Sequence, residues 1–163
     1  MKKGISLLLV LTMMLSMAAC GQSTDIAATT SVATVEEGSY YPITVTDQAG
    51  REVTIEQEPQ RIITAYYITT SLLIALDLDD RIVGIENEPE KRPIYGLSSP
   101  DLLNLPQIGT AKELDIEACA ALSPDLLVLP MKLKNTVPTL EELGLTVLLV
   151  DPEDQQRLNG MIE

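Results

Sequence analysis

Three short groups of side chains in this sequence are suited to handling a ligand. Tyr66 and Tyr67 are adjacent, Lys91, Arg92 and Tyr95 lie close together in ENEPEKRPIYG (86–96), expected as a loop, and Met131 is followed by Lys132 and Lys134. Arginine and lysine pair with carboxylates and other oxyanions, and tyrosine offers a flat ring ending in a hydroxyl. Such groups bind; they do not by themselves catalyse. The chain contains no histidine, which removes the commonest general base near neutral pH and the commonest transition-metal ligand. The acid pairs Asp79–Asp80 and Glu141–Glu142 read as solvated helix ends and faces of an acidic protein rather than as a catalytic dyad. Neither a Gly-rich phosphate loop nor a G-x-S-x-G elbow is present. The expectation is a binding protein without a cofactor or a metal site, and not an enzyme.

The three groups share a position: each follows an aliphatic run. Arg61–Tyr66, Arg81–Ile85, Asp125–Leu129 and Leu145–Val150 read as strands, three of them nearly continuous in Ile, Leu and Val. Runs of this kind suit strands covered on both faces. Helical patterns alternate with them. Thr70–Leu78 is apolar, Ser99-Pro100 starts a short helix through Leu103, and Asp115 caps a helix through Leu122. Thr136 is expected to cap a helix through Leu143, with Gly144 just past its end. Ahead of these lies ITVTDQAGREVTI, two alternating segments around Asp47–Gly50 that predict a β-hairpin. The fold class expected is therefore α/β: a parallel-sheet, three-layer lobe with flanking helices, preceded by a hairpin. An open sheet of this type takes ligands beyond the carboxyl ends of its strands, and those ends carry the tyrosines and basic side chains.

The N-terminus divides from the rest by composition. Lys2 and Lys3 precede an apolar segment from Ile5 to Met17, and Ala18-Ala19 precede Cys20. This is the layout of an export signal over residues 1–19, too short for the ~20 apolar residues of a membrane-crossing helix. Residues 20–39 are small, polar and aperiodic, as in a tether. The α/β lobe is expected over 40–152 and the start of a further helix over 153–163. With Cys20 spent in the leader region, Cys119 has no disulfide partner and reads as a small buried hydrophobe. Eleven basic against 24 acidic residues disfavour nucleic acid as a partner.

In order along the chain, Val45-Thr-Asp47, Gly50-Arg-Glu-Val53, Pro59-Gln-Arg-Ile-Ile63, Arg81-Ile-Val-Gly-Ile85, Ile108-Gly109, Ile116-Glu117 and Leu122-Ser-Pro-Asp-Leu-Leu127 resemble the solute-binding lipoproteins of ABC importers for ferric siderophores, haem and cobalamin. Small residues before Cys20, followed by Gly21, resemble a bacterial lipoprotein box, which implies lipidation of Cys20 and an extracytoplasmic protein anchored to the cell membrane. The resemblance implies two lobes joined by a long helix, a ligand held between them, and delivery to a membrane permease driven by its ATPase. It implies that Glu117 docks on that permease. The strand-tip residues Tyr66, Tyr67, Arg92, Tyr95 and Lys132 are expected to hold the ligand, a ferric siderophore first and haem second, and for haem the resemblance implies a tyrosine as iron ligand. Asp77 departs from the glycine usual at its position. Ala111 and Pro130 stand where cobalamin binders present tryptophans, and the lack of histidine argues against bare zinc or manganese. Only the first of the two lobes is expected within residues 1–163, which reach about the start of the linking helix. The alternative expectation is a membrane-anchored interaction protein, or a remnant, without transport activity.

Overall fold

The computed structural model describes residues 40–153 and 155–162; the leader, Cys20 and the tether lie outside the described residues. The chain opens with the expected hairpin. β1 (Ile43–Thr46) and β2 (Glu52–Ile55) are antiparallel, with Ile43 opposite Ile55 and Val45 opposite Val53. Alternation sends Val53 and Ile55 inward and leaves the threonines outside, where Thr44 and Thr54 share a 3.0 Å hydroxyl contact. The turn is organised by Asp47, whose Oδ1 accepts from the backbone N–H groups of Ala49 and Arg51, both at 2.9 Å.

Four parallel strands follow: β3 (Ile62–Thr64), β4 (Ile82–Gly84), β5 (Leu126–Pro130) and β6 (Val147–Val150), arranged β4-β3-β5-β6. Successive side chains point to opposite faces, so the strands feed two cores. Ile63, Leu127, Leu129, Val147 and Leu149 pack with Cys119 and Leu140 from helices α3 (Ile116–Ala121) and α4 (Val137–Glu142). Ile62, Ile82, Leu126, Val128 and Val150 face Leu73 from α1 (Tyr67–Ala75), Tyr95 from α2 (Pro93–Ser98) and Ile55 of the hairpin. Every residue of β5 is buried, because it runs between two neighbours with a helix layer on either side. A last helix, α5, spans Gln155–Ile162.

Local chemistry explains most of the boundaries. Asp115 caps α3, its Oδ1 accepting from the N–H of Ala118 at 2.9 Å. Asp77 closes α1 with φ of +59°, the left-handed conformation that glycine adopts without strain. Two expectations are corrected. Thr136 does not cap α4 with its side chain: Met131–Thr136 is already a 3-10 helix, and the Thr136 hydroxyl donates back to the Leu133 carbonyl at 2.7 Å. The stretch from Glu86 to Gly96, expected as a loop, contains a 3-10 turn (Pro89–Lys91) and most of α2.

Backbone bonds from other segments reach β6 on its free side and the residue that follows β4. The hairpin turn lies along β6, where Gln48 N–H donates to the Leu149 carbonyl at 3.1 Å and Leu149 N–H donates to Asp47 Oδ2 at 3.3 Å. Beyond β4, Ile85 exchanges backbone bonds with Pro106 and Ile108 at 3.0 and 2.9 Å.

Candidate functional site at the strand tips

The order β4-β3-β5-β6 means that the chain moves from β3 to one side, then returns to add β5 and β6 on the other. At the point where this direction reverses, the crossover segments diverge and leave a crevice. That point is between the carboxyl ends of β3 and β5, and Tyr66 stands there. Two clefts open at this end of the sheet, and Tyr66 lines both. One, of about 270 Å³, is bordered by Tyr67, Glu86, Arg92, Thr110 and Lys112. The other, of about 250 Å³, is bordered by Lys132, Lys134, Asp151, Glu153 and Arg157.

The first cleft has a defined cationic feature. The Arg92 guanidinium lies 4.2 Å from the centre of the Tyr67 ring, within the range of a cation–π contact. Tyr67 in turn meets Tyr66 edge to face, with ring centres 5.0 Å apart and planes at 75°. Burial raises the Tyr66 phenol above its ordinary value, with the neighbouring Tyr67 adding to the effect. At neutral pH it is therefore a hydroxyl donor, not a phenolate. In the second cleft, Lys132 is hydrogen-bonded to Glu153. This bond raises the ammonium and lowers the carboxyl from their ordinary values. Both side chains remain largely exposed, so solvent screens the pair.

No family model matches the chain. Over 116 residues, 68% of this chain and 34% of the relative, it is 26% identical to an uncharacterised ABC transporter substrate-binding lipoprotein of Bacillus subtilis. Over 110 residues, 66% of this chain and 28% of the relative, it is 26% identical to a cobalamin-binding protein of Halobacterium salinarum. A periplasmic solute-binding protein of Veillonella parvula superimposes with a TM-score of 0.66 at 27% identity, over 74% of this chain and 38% of that one. Its relatives and structural neighbours are ABC substrate-binding proteins. Further solved neighbours, each below 25% identity, are by name binding proteins for molybdate, haem and petrobactin, and they show the fold alone. The chain spans about a third of the length of the curated relatives it matches.

Of the expected site residues, Tyr66, Tyr67, Arg92 and Lys132 do stand at the strand tips, with Tyr66 joining the two clefts. Tyr95 does not. It lies in α2 with 0% exposure, and its hydroxyl donates to Glu86 Oε1 at 2.5 Å. Burial, then the bond to Glu86, pushes this phenol far above its ordinary value. It is a core residue, corrected from a rim position, and offers a ligand no surface. Glu117 is exposed in the first turn of α3 and borders neither cleft. Cys119 is fully buried, and burial pushes its thiol up to about 11. Among the described residues, no group of three or more Cys, Asp or Glu side chains is placed to hold a metal. Sequence reasoning missed Glu86 and Lys112. The available signal for Glu86 was its place directly beyond the strand ending at Ile85.

Proposed function

We propose that this chain is the ligand-holding lobe of an extracytoplasmic substrate-binding component of an ABC importer. It captures an anionic metal chelate of the ferric-siderophore type at the tips of its parallel sheet and presents it to a permease and its ATPase. The observation that carries this reading is the convergence of Tyr66, Tyr67 and Arg92 at the point where the strand order reverses. Arg92 supplies a positive charge and a flat face, Tyr66 and Tyr67 supply hydroxyl donors, and Lys132 adds a second cation once its exchangeable pairing with Glu153 is given up. Nothing in this constellation makes or breaks a covalent bond. The lipoprotein layout around Cys20 supports attachment to the outer face of the cell membrane.

The chain has no tryptophan, and two of its five tyrosines, Tyr66 and Tyr67, line the Arg92 cleft, so a part of the tyrosine fluorescence reports on this site. Titration with ferric catecholate and hydroxamate siderophores, haem, cobalamin and molybdate should give saturable quenching with the ferric siderophores, weakened in Arg92→Met. Saturable binding of haem, cobalamin or molybdate in place of the siderophores, or of none of the panel, refutes the ligand class.

A further inference from the structure

Glu86 is a carboxylate in the wall of the Arg92 cleft, yet it is only 5% exposed. A charge held this far from water must be fully hydrogen-bonded. Its Oε2 accepts from the Thr70 hydroxyl at 2.8 Å and its Oε1 from the Tyr95 hydroxyl at 2.5 Å. Each hydroxyl has one proton and competing acceptors. Thr70 Oγ1 also lies 3.3 Å from the Tyr66 carbonyl, and Tyr95 lies 3.4 Å from the Tyr67 carbonyl. The shorter, charge-assisted bonds to Glu86 take both protons, leaving Thr64 to donate to Thr70 across 3.1 Å.

The two donors belong to different helices. Thr70 stands three residues after Tyr67 on α1, and Tyr95 three residues after Arg92, which precedes α2. On α1 three residues is close to one helical turn, so Thr70 lies on the same side as Tyr67, one turn further in. Arg92 is the extended residue just ahead of α2, and its carbonyl accepts from the Tyr95 N–H at 3.0 Å, which ties those two positions together. The Glu86 carboxylate thus ties α1 to α2 one turn beneath the place where Arg92 rests on Tyr67. We propose that Glu86 is the positioning residue of the Tyr67–Arg92 platform: it fixes the separation of two short helices so that the guanidinium stays on the ring. The tolerance is narrow. A relative shift of about 2 Å would carry the guanidinium from 4.2 Å to the ~6 Å limit of such contacts. This deepens the reading above and rests on it for what the platform is for, although the platform's geometry can be tested without a ligand.

The test is the rate at which phenylglyoxal modifies Arg92, followed by peptide mass spectrometry, with Arg81 as an internal reference because it is held by Glu58 and the Pro59 carbonyl elsewhere. Tyr67→Leu, which removes the ring, should raise the Arg92 rate about two- to fivefold, the equilibrium worth of an exposed cation–π contact. Glu86→Ala should match it, and Thr70→Val, which keeps the branched shape and removes only the hydroxyl, should raise it in the same direction, with Arg81 unchanged in all three. If Glu86→Ala does not fold by circular dichroism, Thr70→Val decides. An Arg92 rate unchanged in Thr70→Val, or unchanged in Tyr67→Leu, overturns the proposal. Failure of ferric siderophores to bind the unaltered protein would refute the ligand class and leave these rates as they are.

Discussion

Removal of the Asp47 side chain should be among the most damaging changes to this fold, although it lies in a surface turn. Its side chain is 0% exposed. Oδ1 holds two N–H groups of the turn, and Oδ2 accepts from Arg51 Nε at 2.9 Å, from Arg51 Nη2 at 2.7 Å and from Leu149 N–H at 3.3 Å. Asp47→Ala leaves the Arg51 guanidinium without the carboxylate that accepts from both its Nε and Nη2, and Leu149 N–H without that side-chain acceptor. Breaking a buried pair by deleting one partner costs about 3–5 kcal/mol. Arg51 is 29% exposed and keeps Glu141 and the Val147 carbonyl, so the lower end, about 3 kcal/mol, applies. That is a large share of the roughly 5–15 kcal/mol stability of an ordinary domain. Urea denaturation followed by circular dichroism should show a lower midpoint with an unchanged slope.

The effect should also depend on acidity. Burial alone would raise the Asp47 carboxyl, but its bonds from the Arg51 N–H, the Arg51 side chain and Leu149 outweigh that and hold it below 3.8. A depressed folded-state pKa contributes stability that is complete above the unfolded value and fades as pH falls through the folded one. The gap between the unaltered protein and Asp47→Ala should therefore be constant above about pH 5 and close in stronger acid. A loss of less than about 1 kcal/mol at neutral pH, or a gap that widens in acid, would refute the reasoning.

Two further outcomes are expected. Arg92→Met should weaken binding of an anionic ferric chelate about ten- to hundredfold in the fluorescence titration with little change in melting temperature, because it removes a charge-assisted bond worth roughly 1.5–3 kcal/mol from an exposed position. Gly109→Ala should lower stability by about 2 kcal/mol or more in thermal unfolding, since Gly109 has φ of +121° and an added Cβ would stand 2.3 Å from the Glu113 carbonyl oxygen.

What could be read from the sequence followed from local rules. Alternation around Asp47–Gly50 gave the hairpin, the aliphatic run at Asp125–Leu129 gave a strand buried on both faces, observed one residue later at Leu126–Pro130, and Asp115 marked the start of α3 to the residue. α1 begins at Tyr67, three residues ahead of the expected Thr70, because polar Thr69 and Thr70 point into the protein and disguise its apolar side. Tyr95 was misplaced for a related reason. Its partner Glu86 lies nine residues away on another element, and no local pattern announces that a tyrosine will turn inward to meet a carboxylate. The Arg92–Tyr67 stack joins the first residue of α1 to the residue ahead of α2 and exists only after folding. Strand ends located the rim, but the divergence of the chain at Tyr66 had to be seen in three dimensions.

The Asp47–Gly50 turn has a consequence for the protein among its own copies. A small parallel sheet with bare margins would invite another molecule to extend it strand by strand. Here the backbone groups of Leu149 on β6 that would greet such a visitor are already taken by the same polypeptide. Crowding these molecules together should thus add no strand on the β6 side.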